Sequence, residues 1–171
     1  MHLIEQNVDK INWLMLSTNP SAIDLLEKNM DKINWDTLSQ NPAAMHLLRA
    51  NFQKINWYFL CKNPAAVDIL EQNVHKIDYH YLCENRAAVH LIHRNYNIES
   101  FDWTILSSNP SAILMLQQYP EKICWHFFSS NPMAMDTLEK NQQRISWDYL
   151  SLNPSIFKKV NKQEISFLLM N

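Results

Sequence analysis

Three cysteines and seven histidines are the side chains here with the widest chemical repertoire. A cysteine nucleophile needs a cation or base beside it to hold the thiolate. Cys61, Cys83 and Cys124 have no such partner at a fixed offset. A zinc centre needs three or four convergent ligands. His75, His80, His90 and His93 gather in one stretch, with His90 and His93 three apart on one helix face and His80 within reach of a neighbouring helix. Spacing guarantees only that pair, and no H-E-x-x-H pattern supports it, so the cluster reads as a solvated polar face. The 171 residues include no glycine. That removes phosphate-cradling loops, dinucleotide fingerprints and nucleophile elbows, all of which need glycine where backbone meets ligand or turns sharply. No catalytic residue, no metal, no cofactor and no enzyme are expected.

The elements that hold these residues repeat. Trp occurs at 13, 35, 57, 103, 125 and 147, with Tyr79 filling the gap, and Asn-Pro pairs keep the same beat at 19–20, 41–42, 63–64, 109–110, 131–132 and 153–154. The period is 22 residues, broken once by a two-residue insertion within 95–100. Seven or so units of this length identify a tandem array. Each unit predicts two short helices. Asn34 caps a first helix from Trp35 to Gln40. Asn41 caps a second, with Pro42 at its first position, running to about Ala50, and Asn51 occupies an expected left-handed C-terminal position. Trp and the following Leu share a face and read as core, with every indole sealed inside. Helices of six to nine residues fall below the ~12–15 at which isolated helices become marginal, so neighbours must stack. The expected fold is an all-α solenoid of about seven helix–turn–helix repeats, one domain over 1–171, starting and ending mid-repeat. Ends of that kind allow self-association.

The run Lys32-Ile33-Asn34-Trp35-Asp36-Thr37-Leu38-Ser39-Gln40-Asn41-Pro42-Ala43-Ala44 resembles the short tandem repeats of giant and large DNA viruses, the mimivirus-like and algal-virus groups. The match is carried by Ile-x-Trp, Leu-Ser and Asn-Pro, and departs at Tyr79, Arg86 and Phe101. The resemblance implies a viral protein in host cytoplasm with an interaction role and no catalytic activity. It assigns no functional residue.

Cys61 and Cys83 occupy the small position held elsewhere by Ser17, Ser39, Ser107, Ser129 and Ser151, and Cys124 replaces a cap. An odd cysteine count without a C-x-x-C pair fits a reducing, cytoplasmic setting. No segment reaches the ~20 apolar residues needed to cross a bilayer, so no membrane is expected. A formal charge of −2 argues against a nucleic-acid partner, although Lys10, Lys32, Lys54, Lys76, Lys122 and Arg144 form a periodic column placed to favour helix C-termini. A second column, His2, Asp24, His46, Asp68, His90, Leu114 and Asp136, reads as drift or as weak pairing between neighbours.

One column has the character of a docking surface. Two residues after each Trp stand Met15, Thr37, Phe59, Tyr81, Ile105, Phe127 and Tyr149, mostly large and apolar; just before them are Leu14, Asp36, Tyr58, His80, Thr104, His126 and Asp148. Either these side chains pack against adjacent repeats, or they line an exposed aromatic stripe of the kind that binds protein. The second reading selects Phe59, Tyr81, Phe127 and Tyr149, with Tyr58, His80 and His126, as residues binding a host or viral protein, in a non-enzymatic scaffold. The alternatives are a self-assembling structural protein of a particle or filament, and a helical repeat that binds nucleic acid.

Overall fold

The structure, a computed structural model, describes residues 4, 6–92 and 97–157. Among these there are helices and turns and no strand. The chain divides into two compact units, Met1–Asp102 and Trp103–Asn171. In the first unit, short helices follow one another as α1 (Trp13–Ser17), α2 (Ile23–Glu27), α3 (Trp35–Ser39), α4 (Met45–Ala50), α5 (Trp57–Cys61), α6 (Val67–Gln72), α7 (Tyr79–Leu82) and α8 (Val89–Ile92). The second contains α9 (Trp103–Ser108), α10 (Ile113–Gln118), α11 (Trp125–Phe128), α12 (Met135–Lys140) and α13 (Trp147–Leu150). Trp-led helices pack on their successors: α1 on α3, α3 on α5, α5 on α7, and in the second unit α9 on α11.

Local chemistry sets the element ends. Asn34 is extended, and its side-chain oxygen accepts the Thr37 N–H at 3.0 Å, starting α3. The residue before a proline is steered away from the helical region, so Asn41-Pro42 closes that helix. Asn41 then accepts from the Ala43 N–H at 3.0 Å and opens a 3-10 turn, Pro42–Ala44, that tightens into α4. The second helix is thus a composite of 3-10 turn and α-helix rather than one α-helix from Pro42. Its end differs from expectation as well. Asn51 has φ −128° and ψ 48°, and no described residue has positive φ. Its side-chain amide donates to the Leu47 carbonyl at 2.9 Å, and Asn29, Asn73 and Asn141 do the same one turn back. This bond satisfies a terminal carbonyl from a right-handed backbone, so the strained left-handed cap is unnecessary.

Leucine, not tryptophan, fills the core. Leu26, Leu38, Leu48, Leu60, Leu70, Leu82 and Ile92 are fully buried in the first unit, and Leu106, Leu116, Phe128 and Leu138 in the second. Burying one such side chain contributes roughly 1.5–3 kcal/mol. Ala44, Ala66, Ala88, Ala112 and Ala134, also without exposed surface, let the backbones approach. The indoles are not sealed: Trp13, Trp35, Trp57, Trp103 and Trp125 are half-buried, and Trp147 is 67% exposed. Trp lies at the start of a helix of four to six residues, so its ring reaches the rim while the Leu one turn on reaches the centre.

Two polar columns join successive repeats. Ser39 donates its hydroxyl to the Trp35 carbonyl and accepts the Asn56 backbone N–H at 3.0 Å; Ser17 does so with Trp13 and Asn34, and Ser129 with Trp125 and Ser146. The Asn-Pro asparagines do more. Asn63 accepts from Ala65 N–H and donates its amide to the carbonyls of Ser39 and Asn41 at 2.9 and 3.1 Å. Asn85 repeats the pattern toward Cys61 and Asn63, Asn131 toward Ser107 and Asn109, and Asn153 toward Ser129 and Asn131. All four are buried. A buried amide is costly unless satisfied, and here it is met by main chain on both sides.

Candidate interaction surface

The residues following each Trp project from the first helix away from the Leu column. In the first unit, Tyr58 is 57% exposed, His80 is exposed, and Phe59 and Tyr81 are half-buried. Tyr58 and Tyr81, one repeat apart, meet edge to face with ring centroids 5.7 Å apart, and His80 stands 5.5 Å from Tyr81. The Lys62 ammonium lies 4.8 Å above the Tyr81 ring and pairs with Glu84 at 2.7 Å. In the second unit, His126 is exposed, and Phe127 and Tyr149 are half-buried. The Tyr149 ring lies 5.2 Å from Phe127 and 3.9 Å from His126. The rings of this column therefore pack on the neighbouring repeat and still present surface. Where the residue is small, a hydrogen bond replaces the ring contact, as in Thr37 Oγ1 donating to the Leu14 carbonyl at 3.0 Å. At the near end, Leu14 and Met15 are exposed.

The basic column stands in the last turn of short 3-10 helices at Lys10, Lys54, Lys76, Lys122 and Arg144, and three of these cations also cover an indole. The Lys54 ammonium sits 4.4 Å above Trp35, Lys76 4.4 Å above Trp57, and the Arg144 guanidinium 4.5 Å above Trp125. Each cation follows the indole it covers by 19 residues. Such contacts stabilise by about 0.5–1 kcal/mol at exposed sites. Beside one of them is an open groove of about 550 Å³ whose walls include Ile55, Trp57, Tyr58, Lys76, Ile77 and Asp78.

The histidines are distributed, not convergent. His90 Nε2 meets Glu71 Oε1 at 3.0 Å and His80 Nδ1 meets Asp102 Oδ2 at 3.6 Å. His75 is exposed, and His93 lies outside the described residues, among which no group of three or more metal-binding side chains occurs. Among the described residues, the alternating His and Asp column pairs with residues outside it. His46 Nε2 meets Glu27 at 2.6 Å, and Asp68 meets Arg49 at 2.6 Å, each pair running diagonally between successive second helices; His2 is not among the described residues. The Arg49 hydrogen bond, opposed by slight burial, holds the Asp68 carboxyl below its ordinary value.

The thiols sit where the sequence placed them. Cys61 and Cys83 are fully buried in the serine column, and Cys83 Sγ donates to the Tyr79 carbonyl at 3.0 Å. Burial pushes both thiols up to about 11, which is inert chemistry at neutral pH. Cys124 is half-buried and precedes α11 without a side-chain cap. No family model, curated protein or solved structure matches this chain.

Proposed function

We propose that this protein is a non-enzymatic scaffold whose short helices form an α-solenoid and whose first-helix face binds a protein partner, host or viral. One observation carries the reading: Tyr58, His80 and Tyr81 in the first unit, and His126, Phe127 and Tyr149 in the second, form aromatic strips that touch ring to ring and remain partly exposed, with Phe59 half-buried in the same column. Aromatic side chains of this kind are enriched where proteins meet. Held by their neighbours before any partner arrives, they lose little conformational freedom on binding.

The test is capture of a partner by a chain in which Tyr58, Phe59, His80 and Tyr81 are replaced by Ser, alongside one in which His126, Phe127 and Tyr149 are so replaced. Loss of capture with helical content retained supports the assignment. Unchanged capture by both variants removes it. Collapse of the helical signal would instead assign the rings to the core, and single substitutions at the exposed Tyr58 and His126 then decide the question without unfolding.

A further inference from the structure

The surroundings of Trp125 depart from the repeat in three columns. Thr137 stands where Leu25, Leu47, Ile69, Leu91 and Met115 are buried in other repeats. Pro120 stands where Phe52 packs edge-on against Trp57, with ring centroids 5.5 Å apart. Phe128 takes the place of Leu38 and Leu60, is buried as they are, and meets Trp125 edge to face at 5.6 Å. Two of these changes remove side-chain volume, and the third adds a second aromatic wall.

All three residues line one pocket of about 220 Å³, together with Leu116, Ile123, Trp125 and Arg144. A cavity of roughly 150 Å³ with apolar walls holds one benzene ring, so there is room for a ring with one small substituent. Three polar groups at this place have hydrogens to donate and, among the described residues, no acceptor. The Trp125 indole N–H is buried and unpartnered. The Thr137 hydroxyl donates to no group, and the Arg144 guanidinium, exposed above the Trp125 ring, meets no carboxylate.

We infer that this pocket binds a small aromatic monocarboxylate, free in solution, with its ring against Trp125 and Phe128 and its carboxylate on Arg144 and the Thr137 hydroxyl. The argument is complementarity. Aromatic walls favour an aromatic body through offset and edge-to-face contact. A guanidinium fork matches a carboxylate in geometry as well as in charge, and the acid supplies the acceptors that the chain's own donors lack here. The site uses no residue of the aromatic strips, so it goes beyond the docking proposal and does not rest on it.

Fluorine NMR titration of the full chain with para-fluorobenzoate tests it, beside para-fluorobenzamide, which keeps the ring and loses the charge. Saturable binding is expected, with the acid about tenfold tighter than the amide, the scale of one charge-assisted hydrogen bond. Arg144→Gln should weaken the acid about tenfold and leave the amide unchanged. Thr137→Leu, which restores the residue type of its column, should abolish binding of both while the chain stays folded. Should that variant unfold, the acid–amide difference in Arg144→Gln decides. Lys54→Gln, which removes the cation over another indole, should bind both as the parent does. Absence of saturable binding, equal binding of acid and amide, or an acid affinity unchanged by Arg144→Gln or by folded Thr137→Leu overturns the inference. So does tighter binding of a peptide ending in phenylalanine, which would assign the pocket to a protein chain end.

Discussion

The amide of Asn63 donates to the main-chain carbonyl of Asn41, its own counterpart one repeat earlier, at 3.1 Å. The same side chain also donates to the Ser39 carbonyl and accepts from Ala65 N–H, so both ends of a fully buried amide are satisfied. Asn19, in the first described Asn-Pro pair, is exposed, and its side chain accepts from the Ser21 N–H, within its own turn. The two asparagines have one sequence context and different duties.

Replacing each with alanine separates those duties. Asn63→Ala takes the amide donor from the Ser39 carbonyl, at about 1–3 kcal/mol if that group is left unpaired, while the Asn41 carbonyl keeps its bond from the Ala44 N–H. With the lost cap added, a loss of about 2 kcal/mol or more is expected in urea unfolding of this variant. Asn19→Ala removes a cap alone and should cost about 1 kcal/mol or less. Equal losses would show that the inter-repeat bonds contribute nothing.

The thiols provide a second measurement. With Cys61 and Cys83 buried and raised to about 11, alkylation of the folded chain at neutral pH should label Cys124 first, with all three labelled in denaturant; peptide mass mapping reads the order. Stability should also fall on the alkaline side. Unfolded thiols ionise near 9 while the folded ones keep their protons until about 11, so the folded state binds more protons between these values and loses stability as pH rises through them. The loss is on the order of 2 kcal/mol for each thiol. The double variant Cys61→Ser, Cys83→Ser, which restores the serine of other repeats, should show a flatter alkaline limb.

Asp68 acts at the other end of the pH scale. Its carboxyl is held down chiefly by the hydrogen bond from Arg49, so its contribution is present above the ordinary carboxylate range and disappears as pH falls through the folded value. Both side chains are about half exposed, which limits the effect to under about 1 kcal/mol. Arg49→Met should remove that part of the acid-side slope in urea midpoints, by lowering the neutral value by this small amount and leaving the value below the carboxylate range nearly unchanged.

Lys54→Gln tests the cation above Trp35. A loss of about 0.5–1 kcal/mol is expected, together with a red-shifted indole emission as water reaches the uncovered face. A variant as stable as the parent, with unshifted emission, would show that the lysine merely lies near the ring.

Much of the fold is legible in the sequence because period and capping chemistry are local. Asn34 and Asn41 announce helix starts by residue type, and Leu38 and Leu48 announce the core by spacing. The long-range duties are hidden. A sequence shows that Asn63 can cap a turn, but not that its remaining amide hydrogens will meet carbonyls 22 and 24 residues earlier. Trp35 looks like core because it is large and periodic; its rim position depends on the shortness of α3, and its cover on a lysine 19 residues later. The left-handed end expected at Asn51 failed for a related reason, since the amide that hydrogen-bonds to Leu47 makes that backbone state needless. At the candidate surface, residue type identified Tyr58 and His126, whereas the ring-to-ring contacts with Tyr81 and Tyr149 required coordinates.

The asparagine seam fastens onto peptide groups, which every amino acid supplies alike. A 22-residue block duplicated or excised in frame would therefore meet a compatible clasp whatever side chains its neighbour displays. Outward-facing positions are thereby released to diverge from block to block, and lineages can change the number of blocks by recombination without redesigning any joint.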